Sequence, residues 1–192
     1  ARERLAEILR IALPGTGAGV ALRQRIDLVG HYGLFRPGQV FTEEMQAGGR
    51  GPALSVLPRG GFMMGAPEDE EGATLDEQPR HQVRLDRGFA MTRHEITVGQ
   101  FRRFVQATGF VPRATQRGHS LAYDARSGNF LRGSGIDWQS GYDGRPAADD
   151  MPVIHVTARD AEAYAAWLSA QTGAHYRLPS EAEFEYALRA GG

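Results

Sequence analysis

The sequence has no cysteine, no long hydrophobic run and almost no net charge, and each absence excludes a class of protein or site. Without cysteine, the 192 residues can form neither a disulfide nor a thiolate metal site. No apolar run approaches the about 20 residues that a membrane-spanning helix needs. The formal net charge of −1 gives no electrostatic reason to expect binding to nucleic acid or to an anionic membrane. We therefore expect neither nucleic acid nor membrane as a partner.

Three stretches predict amphipathic helices, near residues 97–108, 158–171 and 181–190. Apolar residues recur in each at intervals of three and four, which places them on one face of a helix. The residues expected to face the core are Phe101, Phe104, Tyr164, Leu168, Phe184, Ala187 and Leu188.

The ends of these helices are marked by capping signals. A hydroxyl side chain followed three residues later by a carboxyl or amide side chain can satisfy free backbone N–H groups at a helix start. The three pairs are Thr97 with Gln100, Thr157 with Asp160, and Ser180 with Glu183. Gly109 and Gly173 then end the first two helices, because glycine readily adopts the left-handed conformation found there.

Short apolar or alternating runs between turn residues predict strands. The runs lie at residues 54–56, 62–64, 81–85, 89–96, 152–156 and 175–178. Helices that alternate irregularly with short, mainly antiparallel strands define an α+β fold.

The first 50 residues differ from the rest. Residues 2–13 have the apolar spacing of one amphipathic helix, and the glycine-rich stretch after it predicts a linker. A cluster of Gly48, Gly49, Gly51 and Pro52 indicates a boundary. We therefore predict a helical N-terminal extension and linker over 1–50 and a domain over 51–192.

Residues 111–150 are rich in glycine and charge and lack a regular apolar period, which predicts mostly loop. A connection of that length is often functional, so this one is a candidate ligand-facing surface. Its aromatic residues are Tyr123, Phe130, Trp138 and Tyr142. Two interpretations stay open for these four side chains, which either anchor the loop or stack on a substrate.

The histidines give no sign of a metal site, and the sequence identifies no catalytic residue. His81, His94, His155 and His175 lie in separate segments, without the spacing of a known histidine ligand motif. The acidic run at 68–71 lacks the alternating oxygen ligands of a calcium loop.

Several motifs nevertheless resemble one family in order along the chain. The sequence PRGGFMMG at 58–65 resembles its P-x-G-x-F-x-M-G opening, and EITVGQFRRF at 95–104 resembles E-[VI]-T-x-x-Q-[FY]-x-x-F. DAEAYAAWL at 160–168 and RLPSEAEFEYA at 177–187 resemble two further segments. The chain from residue 53 to 192 thereby resembles the formylglycine-generating enzyme, or sulfatase-modifying factor, family.

The resemblance implies a C-type-lectin-like α+β fold, of which this chain carries the N-terminal part. Family members continue past the R-L-P-[ST]-E-A-E helix, and the resemblance places the calcium ligands and the copper-binding cysteine pair in that later half. We therefore expect no cofactor within this chain, and calcium and possibly copper in the remainder. The remainder of the domain, or a complementing chain, is the expected partner.

The function implied is O2-dependent oxidation of a cysteine-containing peptide or a related substrate, with the metal site outside this chain. The alternative is a non-catalytic ligand-binding, interaction or regulatory module of a larger protein, since the family fold can present variable loops. A peptide or a small molecule is the expected ligand in either case.

Overall fold

The elements of the fold are given by a computed structural model, which describes residues 36–189 except 68, 69, 71, 73, 75 and 76. The helix and linker predicted over 2–19 lie outside the described residues. In chain order the elements are β1 (Val40–Phe41), β2 (Leu54–Leu57), β3 (Gly60–Met64), β4 (His81–Leu85), β5 (Phe89–Thr92), α1 (Val98–Thr108), α2 (Arg113–Arg117), β6 (His119–Asp124), β7 (Asn129–Ser134), α3 (Ala158–Thr172) and α4 (Glu181–Leu188).

Two compact units contain these elements. The first includes described residues 36–39, 55–91 and 182–189, and the second includes 40–54 and 92–181. None of the helices among the described residues has the length and apolarity to cross a membrane. The combination of helices with short antiparallel strands confirms the α+β prediction.

The first unit is built on short strands. β3 and β4 pair antiparallel from Gly60 opposite Leu85 to Met64 opposite His81, and β2 pairs with β5. The strands predicted at 54–56, 62–64 and 81–85 are confirmed. The extended run predicted over 89–96 is shorter than expected, because the strand ends at Thr92.

Helix α4 packs through one aromatic residue rather than through the predicted stripe. Tyr186 is buried, and its ring lies 5.5 Å from that of Phe62 on β3. Phe184 and Leu188 are 56% and 75% exposed, so the prediction that they face the core is wrong. The reason is geometric: each lies two residues from Tyr186, which is roughly 200° around the helix.

An ion pair also fixes α4 within this unit. Arg189 Nε lies 2.7 Å from Glu185 Oε1, four residues earlier on the helix. The same carboxylate oxygen accepts the Gly65 N–H at 2.9 Å, and Arg189 donates to the Gly65 carbonyl at 3.0 Å. Burial acts to raise the pKa of Glu185, but the Gly65 N–H, Arg189 and His81 together hold it below its ordinary value.

The second unit has an aromatic core between α1 and α3. Phe101 and Phe104 of α1 lie 5.9 and 5.8 Å from Tyr164 of α3. Burial raises the pKa of Tyr164 to about 12, against an opposing effect of Arg103. The buried cluster consists of Met45, Val98, Phe101, Phe104, Trp138, Tyr164 and Leu168. The predicted burial of the α1 and α3 stripes is confirmed.

Both helices begin with the predicted capping boxes. Thr97 Oγ1 accepts the Gln100 N–H at 3.2 Å, and Gln100 Oε1 accepts the Thr97 N–H at 3.0 Å. At α3, the Asp160 N–H donates to Thr157 Oγ1 at 3.3 Å, and Asp160 Oδ2 accepts both the N–H and the hydroxyl of Thr157 at 2.8 Å. Gly109 and Gly173 end α1 and α3 in the left-handed conformation, as predicted.

The strand predicted at 152–156 is absent from the structure. In place of a ladder, the backbone of this segment has an isolated bridge between Thr97 and Pro152 and a bond from the Val153 N–H to the Ile96 carbonyl. His155 has a φ of 60°, in the left-handed region that a strand cannot contain. The apolar run therefore passes through a bend rather than a ladder. Residues 175–178 likewise form no strand.

Candidate ligand-binding face

Residues 111–150 contain a regular hairpin where loop was predicted. β6 and β7 pair antiparallel over six residues each, from His119 opposite Ser134 to Asp124 opposite Asn129. The loop prediction is wrong over these two strands, because neither HSLAYD nor NFLRGS alternates regularly between apolar and polar residues, so the two-residue period of a strand is not visible in the sequence. Helix α2 precedes the hairpin in the same segment.

The turn of the hairpin is stabilised by a single aspartate. Asp124 Oδ2 accepts the Ser127 hydroxyl at 2.7 Å and the Ser127 N–H at 3.1 Å. The hydroxyl bond is the main reason that the pKa of Asp124 lies below its ordinary value. Gly128 has a φ of 70° and donates its N–H to the Asp124 carbonyl at 2.9 Å. This Asp, Ser, Gly pattern is the turn signal that could have revealed the hairpin in the sequence.

One face of the hairpin carries three of the four aromatic residues singled out from the sequence. Tyr123 and Phe130 are opposite each other in the ladder, with ring centroids 5.8 Å apart. Tyr142, from the following loop, lies 5.2 Å from Tyr123 in a stacked arrangement and 5.3 Å edge-on from Phe130. Phe130 and Tyr142 are more than half exposed. We name Tyr123, Phe130 and Tyr142 the aromatic triad.

Trp138, the fourth aromatic residue, lies elsewhere. It is buried in the core of the second unit, with its ring 5.5 Å from that of Phe101. The Arg102 guanidinium lies 5.3 Å from the centre of the indole, within the range of a cation–π contact. The structure therefore does not bring Trp138 to the aromatic triad.

The opposite face of the hairpin is held by His155. Its Nε2 lies 3.1 Å from the Gly141 carbonyl, and its Nδ1 lies 3.0 Å from Ser120 Oγ. Since a carbonyl only accepts, Nε2 carries the hydrogen, and in the neutral ring Nδ1 accepts the Ser120 hydroxyl. The His155 side chain thus connects Ser120 of β6 to Gly141, next to Tyr142 in the following loop.

A basic pocket lies beside the aromatic triad. It is a cavity of about 270 Å³ whose lining includes arginines from α2 and β7 and histidines from β6 and the bend before α3. These residues are Arg113, Arg117, Arg132, His119 and His155, together with Ser120. Leu121 also lines the pocket, opposite Arg132 in the ladder. Among the residues that the structure describes, no aspartate or glutamate lines it.

The described part of the chain contains no metal site. No group of three or more histidine, aspartate or glutamate side chains is close enough to hold an ion there, and the sequence has no cysteine. The residues present therefore do not fit the copper or calcium that the family implies, because copper(I) prefers soft thiolates and calcium needs about six to eight oxygens.

Sequence reasoning missed the three arginines of the pocket. Arg113 and Arg117 are four residues apart, so their side chains share one face of α2. That spacing was visible in the sequence. Arg132 lines the same pocket because the hairpin pairs it with Leu121, and this pairing was not visible in the sequence.

Comparison with known proteins gives the class of this domain. The family model of the sulfatase-modifying factor enzyme 1-like domain matches residues 40–192. The chain belongs to this family, which confirms the resemblance inferred from the motifs. The match begins within the stretch predicted as extension and linker, and the boundary at residue 50 stays a prediction.

Particular relatives include active and inactive proteins. The formylglycine-generating enzyme of Streptomyces coelicolor is 36% identical over 155 residues, which cover 70% of this chain and 46% of the relative. The mouse inactive C-alpha-formylglycine-generating enzyme 2 is 31% identical over 159 residues, covering 73% and 48%. The solved structure of PvdO from Pseudomonas aeruginosa matches 82% of this chain and 53% of that one, with 36% identity and a TM-score of 0.62. The chain thus spans about half the length of these relatives.

Proposed function

We propose that this chain is the N-terminal part of an O2-dependent oxidase of the formylglycine-generating kind, which acts on a cysteine-containing peptide or a related substrate. The observation that carries the proposal is the family match over 40–192, together with relatives that are named formylglycine-generating enzymes. The aromatic triad supports it, because exposed rings on a rigid hairpin offer a surface on which a peptide side chain can stack.

The chain contributes scaffold and one wall of the substrate groove rather than the redox centre. The metal-binding residues belong to polypeptide outside this chain, since neither the sequence nor the described residues offer a fitting set of ligands. Copper supplies the oxygen chemistry when it is bound. Within this chain, the triad holds the peptide, and the capped helices α1 and α3 form the core of the same unit.

The partner of the chain is the remainder of its own domain or a complementing chain. Phe184 and Leu188 support this proposal, because two large apolar side chains one helical turn apart on α4 are exposed. Apolar surface of this kind is typical of an interface. Light scattering of the 192-residue chain should show association, whereas a monodisperse monomer that melts cooperatively would count against a missing partner.

The oxidase proposal is tested by mass spectrometry of a sulfatase-derived cysteine peptide. The peptide is incubated with copper(I) and oxygen, together with either this chain or the full-length protein that contains it. We expect aldehyde with the full-length protein and none with the chain alone. Aldehyde formed by the chain alone would contradict the proposed location of the redox centre.

A second function is favoured by the relative that is named inactive. A non-catalytic module would use the same triad to bind a peptide or small molecule without oxidising it. A full-length protein that binds the cysteine peptide but leaves it unchanged under copper(I) and oxygen would support this alternative and exclude the oxidase.

A further inference from the structure

We propose that the basic pocket binds the carboxylate of an acidic residue in an extended peptide, and that the second residue along this peptide packs on the aromatic triad. This inference deepens the proposed function, on which it rests, by naming the class of substrate peptide. It is carried by a juxtaposition on one hairpin face: Leu121 and Arg132, which line the pocket together with two arginines of α2, lie two ladder positions from the Tyr123 and Phe130 pair of the triad.

The arginines of the pocket have no acidic partner among the described residues. None of Arg113, Arg117 and Arg132 forms an ion pair there. Arg113 contacts the Gln116 amide oxygen at 3.5 Å and Arg117 lies in the last turn of α2, and neither of these arrangements neutralises the charge of the guanidinium group. Their positive charge is thus available for an anionic ligand.

Two carboxylates that bond to residues of α2 are committed to uncharged donors. Asp160 accepts the Arg113 backbone N–H at 3.2 Å and both donors of Thr157, and it is buried. Asp137 accepts the Thr115 hydroxyl at 2.9 Å. Neither carboxylate lines the cavity, so the guanidinium groups are not neutralised from within the pocket.

The polar groups of the pocket suit a carboxylate. Guanidinium groups donate paired hydrogen bonds that match the two oxygens of a carboxylate, and such charge-assisted bonds are stronger than neutral ones. His119 and Ser120 add polar groups from β6. Leu121 adds an apolar wall, which fits the methylene part of a glutamate side chain.

The register of the hairpin sets the spacing of the peptide. Leu121 opposite Arg132 is followed, two positions along, by Tyr123 opposite Phe130. Residues two apart in a strand are separated by about 6.6 Å and face the same side. An extended peptide has the same repeat, so a glutamate in the pocket places the second residue along the peptide over the triad.

The test is calorimetric titration of the full-length protein with acetyl-Ala-Glu-Ala-Phe-Ala-amide at low salt. Its matched controls replace Glu with Gln or Phe with Ala. We expect the Gln peptide to bind about tenfold more weakly, because charge-assisted bonds are lost, and the Ala peptide to bind about fivefold more weakly. The preference for Glu should decrease at high salt.

Protein variants locate the site. Arg117→Gln and Arg132→Gln should each remove most of the preference for Glu over Gln, while the melting temperature stays unchanged because both side chains are exposed. Arg126→Gln, an exposed arginine in the turn of the same hairpin, is the matched control and should keep the preference. Loss of preference in Arg126→Gln as well would contradict the proposed site.

Inorganic phosphate distinguishes a peptide site from a site for a small anion. Equal affinity for the Glu and Gln peptides would overturn the proposal, and so would phosphate binding in the pocket with no contribution from Phe in the peptide. Because the readout is binding, it is independent of oxidation. A Glu preference in binding, together with no oxidation of the sulfatase-derived cysteine peptide by the same full-length protein, would remove the oxidase and leave the pocket. Oxidation of the cysteine peptide without a Glu preference in binding would remove the pocket and leave the oxidase.

Discussion

Two aromatic clusters in the second unit use the same residue types in opposite environments. Phe101 is 1% exposed among the core rings, whereas Phe130 of the aromatic triad is 54% exposed. Apart from Trp138, the rings of the buried core cluster come from two capped helices, whereas the triad comes from a hairpin and the loop after it. Rings that are buried contribute to the free energy of folding through the area removed from water, whereas exposed rings retain most of that area for a ligand.

The comparison therefore separates aromatic residues that stabilise the fold from those that are available for binding. Trp138 and Tyr142 show this difference between a core ring and an exposed ring, although they lie only four residues apart in the sequence. Trp138 is 5% exposed and packs in the core, whereas Tyr142 is 56% exposed and stacks on Tyr123. Sequence position alone did not distinguish these two residues.

The largest expected effect is that of Phe101→Ala. Removing a fully buried ring that contacts Phe104, Trp138 and Tyr164 leaves a cavity in the core. We expect the free energy of unfolding to fall by about 3–5 kcal/mol. Denaturant unfolding measures it, and a loss of less than about 1 kcal/mol would contradict a central role of this ring in the core.

A smaller effect is expected for Asp160→Ala, which weakens the start of the helix that carries Tyr164. The carboxylate accepts bonds from Thr157 and from the Arg113 N–H. Its removal leaves those donors unsatisfied, and we expect a loss of about 1–2 kcal/mol in unfolding free energy. Asp143→Ala, at an exposed aspartate, is the control and should change the unfolding free energy by less than about 0.5 kcal/mol.

The first unit, which contains neither cluster, should instead respond to pH through Glu185. Its pKa is lowered in the folded protein by the Gly65 N–H, Arg189 and His81, against the opposing effect of burial. Its stabilising contribution is therefore complete above the ordinary value of 4.5 and is lost as the pH falls through the folded pKa. Melting temperatures between pH 6 and pH 3 should decrease less steeply in Glu185→Gln than in the unchanged protein. Equal slopes would exclude this contribution.

The smallest effect on stability is expected for Phe130→Ala, the exposed counterpart of Phe101→Ala. The ring is more than half exposed and packs on the two tyrosines of the triad rather than in the core, so we expect a loss of less than about 1 kcal/mol. Denaturant unfolding of the two variants side by side measures the comparison. A loss as large as that of Phe101→Ala would show that the triad is a second core.

The sequence predicted those elements whose signals are local. The capping boxes at Thr97 and Thr157 and the strands at 62–64 and 81–85 depend on residues a few positions apart, and all are confirmed. Which residues of α4 are buried depends on the helix face that packs on β3. That face is the one with Tyr186, which contacts Phe62, a residue distant in the sequence. A local pattern therefore did not reveal that Phe184 and Leu188 are exposed.

The candidate site was predicted only in part for the same reason. Aromatic composition identified Tyr123, Phe130 and Tyr142, but their contact arises from strand register. The basic pocket joins α2, β6, β7 and the segment before α3, so its lining residues are up to 44 positions apart, from Arg113 to Thr157. No spacing rule for a single helix or strand connects them.

The central claim, that the aromatic triad faces the substrate, is tested most directly by the affinity of the full-length protein for a cysteine-containing peptide. Phe130→Ala and Leu131→Ala alter neighbouring residues of β7 that are 54% and 50% exposed but lie on opposite faces of the hairpin. We expect Phe130→Ala to raise the dissociation constant about fivefold, through the loss of ring stacking, and Leu131→Ala to change it less than about twofold. Equal effects of the two substitutions, or none from Phe130→Ala, would contradict the claim.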